Sequence, residues 1–96
     1  MSRYRLSERA DIDLLNIFIY GVENFGERQA KRYKGGLEGC FELLATQPRM
    51  GRLAGQFGTA TRRHAHGSHV IFYEIEGDSI LILTVIDGRA LHGLDL

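Results

Sequence analysis

Proline and cysteine each occur once in this chain and tryptophan not at all, and these scarcities exclude several classes of protein. A single thiol, Cys40, can form no disulfide within the chain and cannot supply a cysteine-based zinc site, which fits a reducing compartment. A cytoplasmic location is therefore expected. One proline and no low-complexity run, beside 44% apolar and 25% charged residues, argue for a folded domain over a disordered chain. No apolar stretch approaches the roughly 20 residues that cross a bilayer, and Met1-Ser2-Arg3-Tyr4-Arg5-Leu6 has no apolar signal-peptide core. Neither export, nor a span, nor a membrane partner is expected. Net charge is lacking too: twelve Lys plus Arg meet twelve Asp plus Glu, without the basic excess of a general nucleic-acid binder. Ninety-six residues suffice for one hydrophobic core, so residues 1–96 read as a single domain.

The charge that is present is unevenly placed. Residues 49–69 hold Arg49, Arg52, Arg62 and Arg63, with His64, His66 and His69, and no acid, whereas residues 70–96 hold five acids and one base, Arg89. Two readings fit: adjacent strands that neutralise each other, or a local basic binding surface.

Hydrophobic spacing supplies the elements. Tyr4–Leu6 favours a strand, and Ser7 is a good N-cap for a helix with Glu8 and Asp11 in its first turn. Ala10, Leu14, Ile17, Phe18, Gly21, Val22 and Phe25 then recur at three- and four-residue steps, as one buried face. Ile12, Leu15 and Ile19 fall on the flank of that face, more apolar surface than one core contact needs. Asn24-Phe25-Gly26 reads as a stop, and a second helix carries Ala30, Tyr33, Leu37, Cys40, Phe41 and Leu44 inward as far as Pro48, giving an antiparallel pair. Gly35 and Gly39 within it suggest a close backbone approach. Strands are expected over 59–65, 68–76 and 79–86, the turns at His66-Gly67 and Gly77-Asp78 making hairpins. Val70–Tyr73 and Ile80–Ile86 are apolar on both alternating sets, so the second face, with Leu81, Leu83 and Val85, is expected to meet a partner.

Tyr4-Arg5-Leu6-Ser7, Phe25-Gly26 with Gln29-Ala30, Pro48-Arg49-Met50-Gly51-Arg52, and Gly67-Ser68-His69-Val70-Ile71-Phe72-Tyr73 together resemble the ParE branch of the RelE/ParE toxin superfamily, over residues 3 to 86. The resemblance implies an α+β fold of order β-α-α-β-β-β, a helical hairpin packed on a small, mainly antiparallel sheet, in agreement with the spacing. It implies a bacterial type II toxin held inactive by a ParD-like antitoxin and directed at DNA gyrase. One departure stands at the end of the last strand, where Asp87 replaces the histidine that family members usually carry.

The sister RelE branch cleaves messenger RNA on the ribosome, chemistry that needs a proton-transfer pair beside a phosphate-binding cation. No lysine follows Lys34 and no tyrosine follows Tyr73, leaving Arg62, Arg63, Arg89, His92 and Glu74 without an evident acid/base couple. The expectation is thus a non-enzymatic gyrase inhibitor, with no cofactor, no metal and no direct sequence-specific binding of nucleic acid. The alternatives are a RelE-like endonuclease and an inactive homologue serving as an antitoxin-binding or repressor-assembly module. His64-x-His66 with His69 lacks a carboxylate or cysteine to complete a metal set, and Cys40 reads as a core thiol. Toxicity is assigned to Arg62, Arg63, Arg89 and His92, gathered at one edge of the sheet, and antitoxin binding to Ile12, Leu15, Ile19, Leu81, Leu83 and Val85.

Overall fold

Ser7 begins the first helix as expected, its hydroxyl accepting from the Ala10 N–H at 3.0 Å. In the computed structural model, which describes residues 4–91, β1 (Tyr4–Leu6) leads into α1 (Glu8–Phe25), and α2 (Glu27–Thr46) follows after one residue. That residue, Gly26, has φ 90°, donates to Val22 O at 3.1 Å and accepts from the Ala30 N–H at 3.1 Å. A positive φ there is easy only for glycine. The chain continues as β2 (Arg52–Leu53), β3 (Arg62–His66), β4 (His69–Glu76) and β5 (Ser79–Asp87), with short 3-10 turns at Gly55–Phe57 and Gly88–Leu91.

The sheet order is β1-β5-β4-β3-β2. β1 runs parallel to β5 and the other pairings are antiparallel, so the mainly antiparallel α+β architecture is present, with the two-residue β2 added. β3 starts at Arg62 instead of Thr59, because the loop before it closes through an Ala54 N–H to Thr61 O bond of 2.8 Å. Both hairpins turn through two residues, with Gly67 (φ 57°) and Gly77 (φ 60°) leading, the arrangement of a type II′ turn.

Both helices cover one face of the sheet. Leu37, Phe41 and Leu44 of α2 meet Ile71, Tyr73, Ile80 and Ile82, all inaccessible to solvent, and Cys40 packs among them, its thiol pKa raised by burial. Tyr73 also locks the connection from α2: its hydroxyl donates to Pro48 O at 2.7 Å and accepts from the Gly51 N–H at 2.9 Å. A Cβ on Gly51 would lie 2.9 Å from Arg63 O, so the Pro48–Arg52 and Gly67–Tyr73 motifs are two halves of one contact.

Four expectations need correction. Val22 and Phe25 are exposed: Phe25 lines a cavity at the tip of the hairpin, and Val22 lies toward the outer side of α1. Gly35 and Gly39 make no close approach; a Cβ on either would meet nothing within 4 Å, whereas one on Gly21 would lie 3.1 Å from Ala30 Cβ. The close helix contact is therefore Gly21 against Ala30. Val85 shares no face with Leu81 and Leu83. The β4–β5 register slips between Phe72 and Tyr73, which oppose Thr84 and Ile82, so Leu83 is an extra residue that reverses the alternation and turns Val85 into the core at 3% exposure. Such a bulge leaves backbone groups unpaired, and α1 satisfies them: Ser7 Oγ donates to Leu83 O at 2.7 Å, and Asp13 accepts from the Val85 N–H at 3.0 Å and from the Thr84 hydroxyl. The fourth correction concerns the basic residues.

Candidate functional site

Of the residues assigned to toxicity, Arg62, Arg63 and Arg89 do not share an edge. Strands β3 and β5 flank β4 and both run antiparallel to it, so they run parallel to each other, and the start of one lies beside the start of the other. Arg62 opposes Tyr73, which opposes Ile82, whereas Asp87 opposes His69, which opposes His66. Arg62 and Arg89 thus sit at opposite ends of the sheet. Arg62 is also committed to structure, donating to Gly51 O at 2.6 Å and to Arg49 O at 3.4 Å. Arg63, next along the strand, points to the other face, and its cross-strand neighbours are Phe72 and Arg52. His92 lies outside the described residues.

At the Arg89 end the hairpin tip and the end of β5 enclose a cavity of about 740 Å³. Ile17, Gly21, Phe25 and Ala30 give it an apolar wall; Tyr33, Ser68, His69, Asp87 and Arg89 give it a polar one. The Tyr33 hydroxyl lies 2.6 Å from His69 Nδ1 and donates to His66 O at 3.2 Å. Burial pushes the His69 pKa down, with Asp87 opposing and His66 and Arg89 reinforcing the fall. His69 is therefore biased toward the neutral ring. Asp87 accepts from Arg89 Nη2 at 2.8 Å, from Nε at 3.1 Å and from its N–H at 2.8 Å, and these bonds hold its carboxyl far below the usual carboxylate range. The acid that departs from the family pattern thus fixes the rim arginine. His64 and His66 assemble nothing with His69: among the described residues no group of three or more His, Cys, Asp or Glu is placed to hold a metal.

A second surface is the outer side of α1. Ile12, Leu15 and Ile19 are between 45% and 58% exposed and Val22 continues their row, which at 100° per residue runs opposite Ala10 and Leu14. Glu8, Asp11 and Glu23 border it. The third surface is the face of the sheet away from the helices, where Ala54, Val70, Phe72 and Leu91 form a small cluster with Leu83 and Ile86 packed against it. Leu81 belongs to this face, half-buried, and so do Arg52 and Arg63. The sequence reading passed over Tyr33, Asp13 and Arg52 as site residues. Asp13 alone carried a signal, a carboxylate on the inner flank of an apolar helix.

No helix among the described residues is long and apolar enough to cross a membrane. Compared with known families, residues 4–91 match the ParE toxin of the type II toxin-antitoxin system, parDE. Toxin ParE1 of Caulobacter vibrioides is 38% identical over 86 residues, covering 90% of this chain and 88% of that protein. Toxin ParE1 of Mycobacterium tuberculosis is 31% identical over 91 residues, covering 95% and 89%. Among solved structures, a chain of the chromosomal ParDE system from P. aeruginosa superposes with a TM-score of 0.75 at 18% identity, covering 91% of this chain and 96% of that one. At that identity the likeness is one of fold.

Proposed function

This chain belongs to the ParE toxin family of type II toxin-antitoxin systems, and from that premise we propose that it inhibits DNA gyrase in the cytoplasm by stabilising gyrase's complex with cleaved DNA, until a ParD-like antitoxin covers it. The family match over residues 4–91 carries this reading. The polar groups agree with a toxin that leaves the chemistry to its target. His69 is bonded to Tyr33, its pKa pushed down by burial, Arg89 is gripped by Asp87, and Arg62 holds the connecting loop. None of these forms a proton-transfer couple beside a phosphate-binding cation.

The exposed row Ile12, Leu15, Ile19 is the antitoxin's seat, since apolar rows of that kind rarely stay bare in a working complex. The cavity rim at Arg89 is the surface offered to gyrase. Purified protein added to gyrase, plasmid and ATP is expected to block supercoiling and accumulate linear DNA, and added to translating ribosomes to leave the message whole. Codon-phased cuts would replace this reading with the endonuclease. No effect in either assay and no growth defect on expression would leave the inactive, antitoxin-binding homologue.

A further inference from the structure

We propose that the cavity at the hairpin tip is a binding site for a small, uncharged aromatic compound carrying an N–H or O–H donor, which the open nitrogen of His69 accepts. The inference concerns the interior of the cavity and does not rest on the toxin reading. It starts from the two nitrogens of one ring. His69 Nδ1 has two oxygens beside it, the Tyr33 hydroxyl at 2.6 Å and Ser68 Oγ at 3.3 Å. The single Tyr33 proton goes to His66 O at 3.2 Å, since a carbonyl can only accept. The Tyr33 oxygen therefore meets Nδ1 as an acceptor, and the uncharged imidazole carries its proton on Nδ1. Nε2 is left as a bare acceptor. It makes no hydrogen bond among the described residues and is not buried. Because His69 lines the cavity, that lone pair is offered to whatever enters.

The surroundings choose the ligand. A volume of about 740 Å³ falls within the range of small-molecule sites. Tyr20, Phe25 and Tyr33 supply aromatic rings and Ile17, Ala30 and Val85 supply aliphatic surface, with Tyr20 and Phe25 edge-on at 6.2 Å. A flat ring packs well on such walls. The charged lining groups already have partners: Asp87 pairs with Arg89 at 2.8 Å, and Asp13 accepts from the Val85 N–H at 3.0 Å and pairs with Arg9 at 3.6 Å. An ionic ligand has to break one of these pairs or enter unpaired, whereas an uncharged one does neither. Nε2 does not serve a metal, because among the described residues no group of three or more His, Cys, Asp or Glu is placed to hold one. One acceptor in an aromatic cavity thus selects a ring with a donor.

The probes are two methylindoles of equal size: 3-methylindole keeps the N–H, and 1-methylindole lacks it. Each is titrated into the full chain and followed by amide NMR. The first is expected to shift the amides of Ile17, Phe25, Ala30 and Ser68 and to bind about fivefold more tightly than the second, the effect of one hydrogen bond. His69→Phe should bring that ratio to near one. Phe25→Ala should weaken both compounds alike, and Leu15→Asp, on the outer side of α1, should change neither. Unchanged melting temperatures would show that the variants fold. A further measurement needs neither ligand nor variant: long-range proton–nitrogen spectra of the uncharged ring should show Nε2 of His69 as the unprotonated nitrogen.

Equal affinity for the two methylindoles, cavity amides that do not move, a ratio that survives His69→Phe, or a proton found on Nε2 of the uncharged ring would overturn the site. Tighter binding of indole-3-acetate than of 3-methylindole would overturn the uncharged class, since Arg89 would then have left Asp87 for the ligand. A Gly-Trp-Gly amide that binds several times more tightly than 3-methylindole would overturn the free compound as occupant, because the cavity would then read a side chain presented by a protein. Neither gyrase nor antitoxin is present in these titrations, so their outcome stands apart from that of the toxin assays.

Discussion

The two helices are of similar length and lie against the same sheet, yet they divide their apolar residues differently. α2 buries Ala30, Leu37, Cys40, Phe41, Leu44 and Ala45, whereas α1 buries only Ala10 and Leu14 and leaves Ile12, Leu15, Ile19 and Val22 in water. Propensity does not explain the contrast, because both helices fold fully. α2 lies over the middle of the sheet and spends its hydrophobicity within the chain. α1 adds polar contacts at one end, through Ser7 and Asp13, to its packing at Ala10 and Leu14, and leaves an apolar row exposed, the row proposed above as the antitoxin's seat. On that proposal stability and recognition fall to different helices, and a partner on the outer row of α1 would bind without competing with the core.

The largest expected effect sharpens that contrast on the α2 side. Phe41→Ala removes an inaccessible ring that also meets Tyr4 edge-on at 5.3 Å, and should cost about 3 to 5 kcal/mol in urea unfolding. A loss below about 1 kcal/mol would mean that α2 is not where the stability lies. Asp13→Ala comes next. It leaves the bulge N–H of Val85 without its acceptor and should cost about 1 to 3 kcal/mol, with amide exchange fastest at Thr84 and Val85. A variant as stable as the parent would break the claim that polar contacts at this end help to hold α1.

Leu15→Asp should have the smallest effect on stability, within about 0.5 kcal/mol, as for an exposed site, while abolishing antitoxin rescue when the pair is co-expressed. Unfolding of this variant would erase the distinction between the helices.

Much of this division can be read in the residues themselves. Ser7, Gly26, the inward row of α2 and the two glycine-led hairpins each state their structure locally, through a cap, a positive φ or a period. The bulge at Leu83 does not. Ile80–Ile86 is apolar at every position but one, so alternation holds no information about facing, and Val85 is misplaced by one step. Phe25 misleads for a related reason: the helical period continues to the tip of the hairpin, where a cavity and not the sheet lies beneath it. Arg62 and Arg89 are expected together at one edge of the sheet, but strand direction separates them. Hydrophobic spacing supplied the order of elements and family resemblance the toxin class, and neither distinguishes which arginine faces which side.

The pairing of β1 with β5 sets the timing of folding. Tyr4, Arg5 and Leu6 lie opposite Ile80, Leu81 and Ile82, so the first strand waits for the last before it can join a sheet, and contacts spanning so much of a chain close slowly. During synthesis the helical hairpin emerges long before the strand that secures its Ser7 and Asp13 anchors. The native surface of α1 and the open sheet face are therefore assembled only after residues 79–87 have left the ribosome. The fold of this toxin-family chain is thus closed only when β5 is made, and its outer surfaces take shape together at that step.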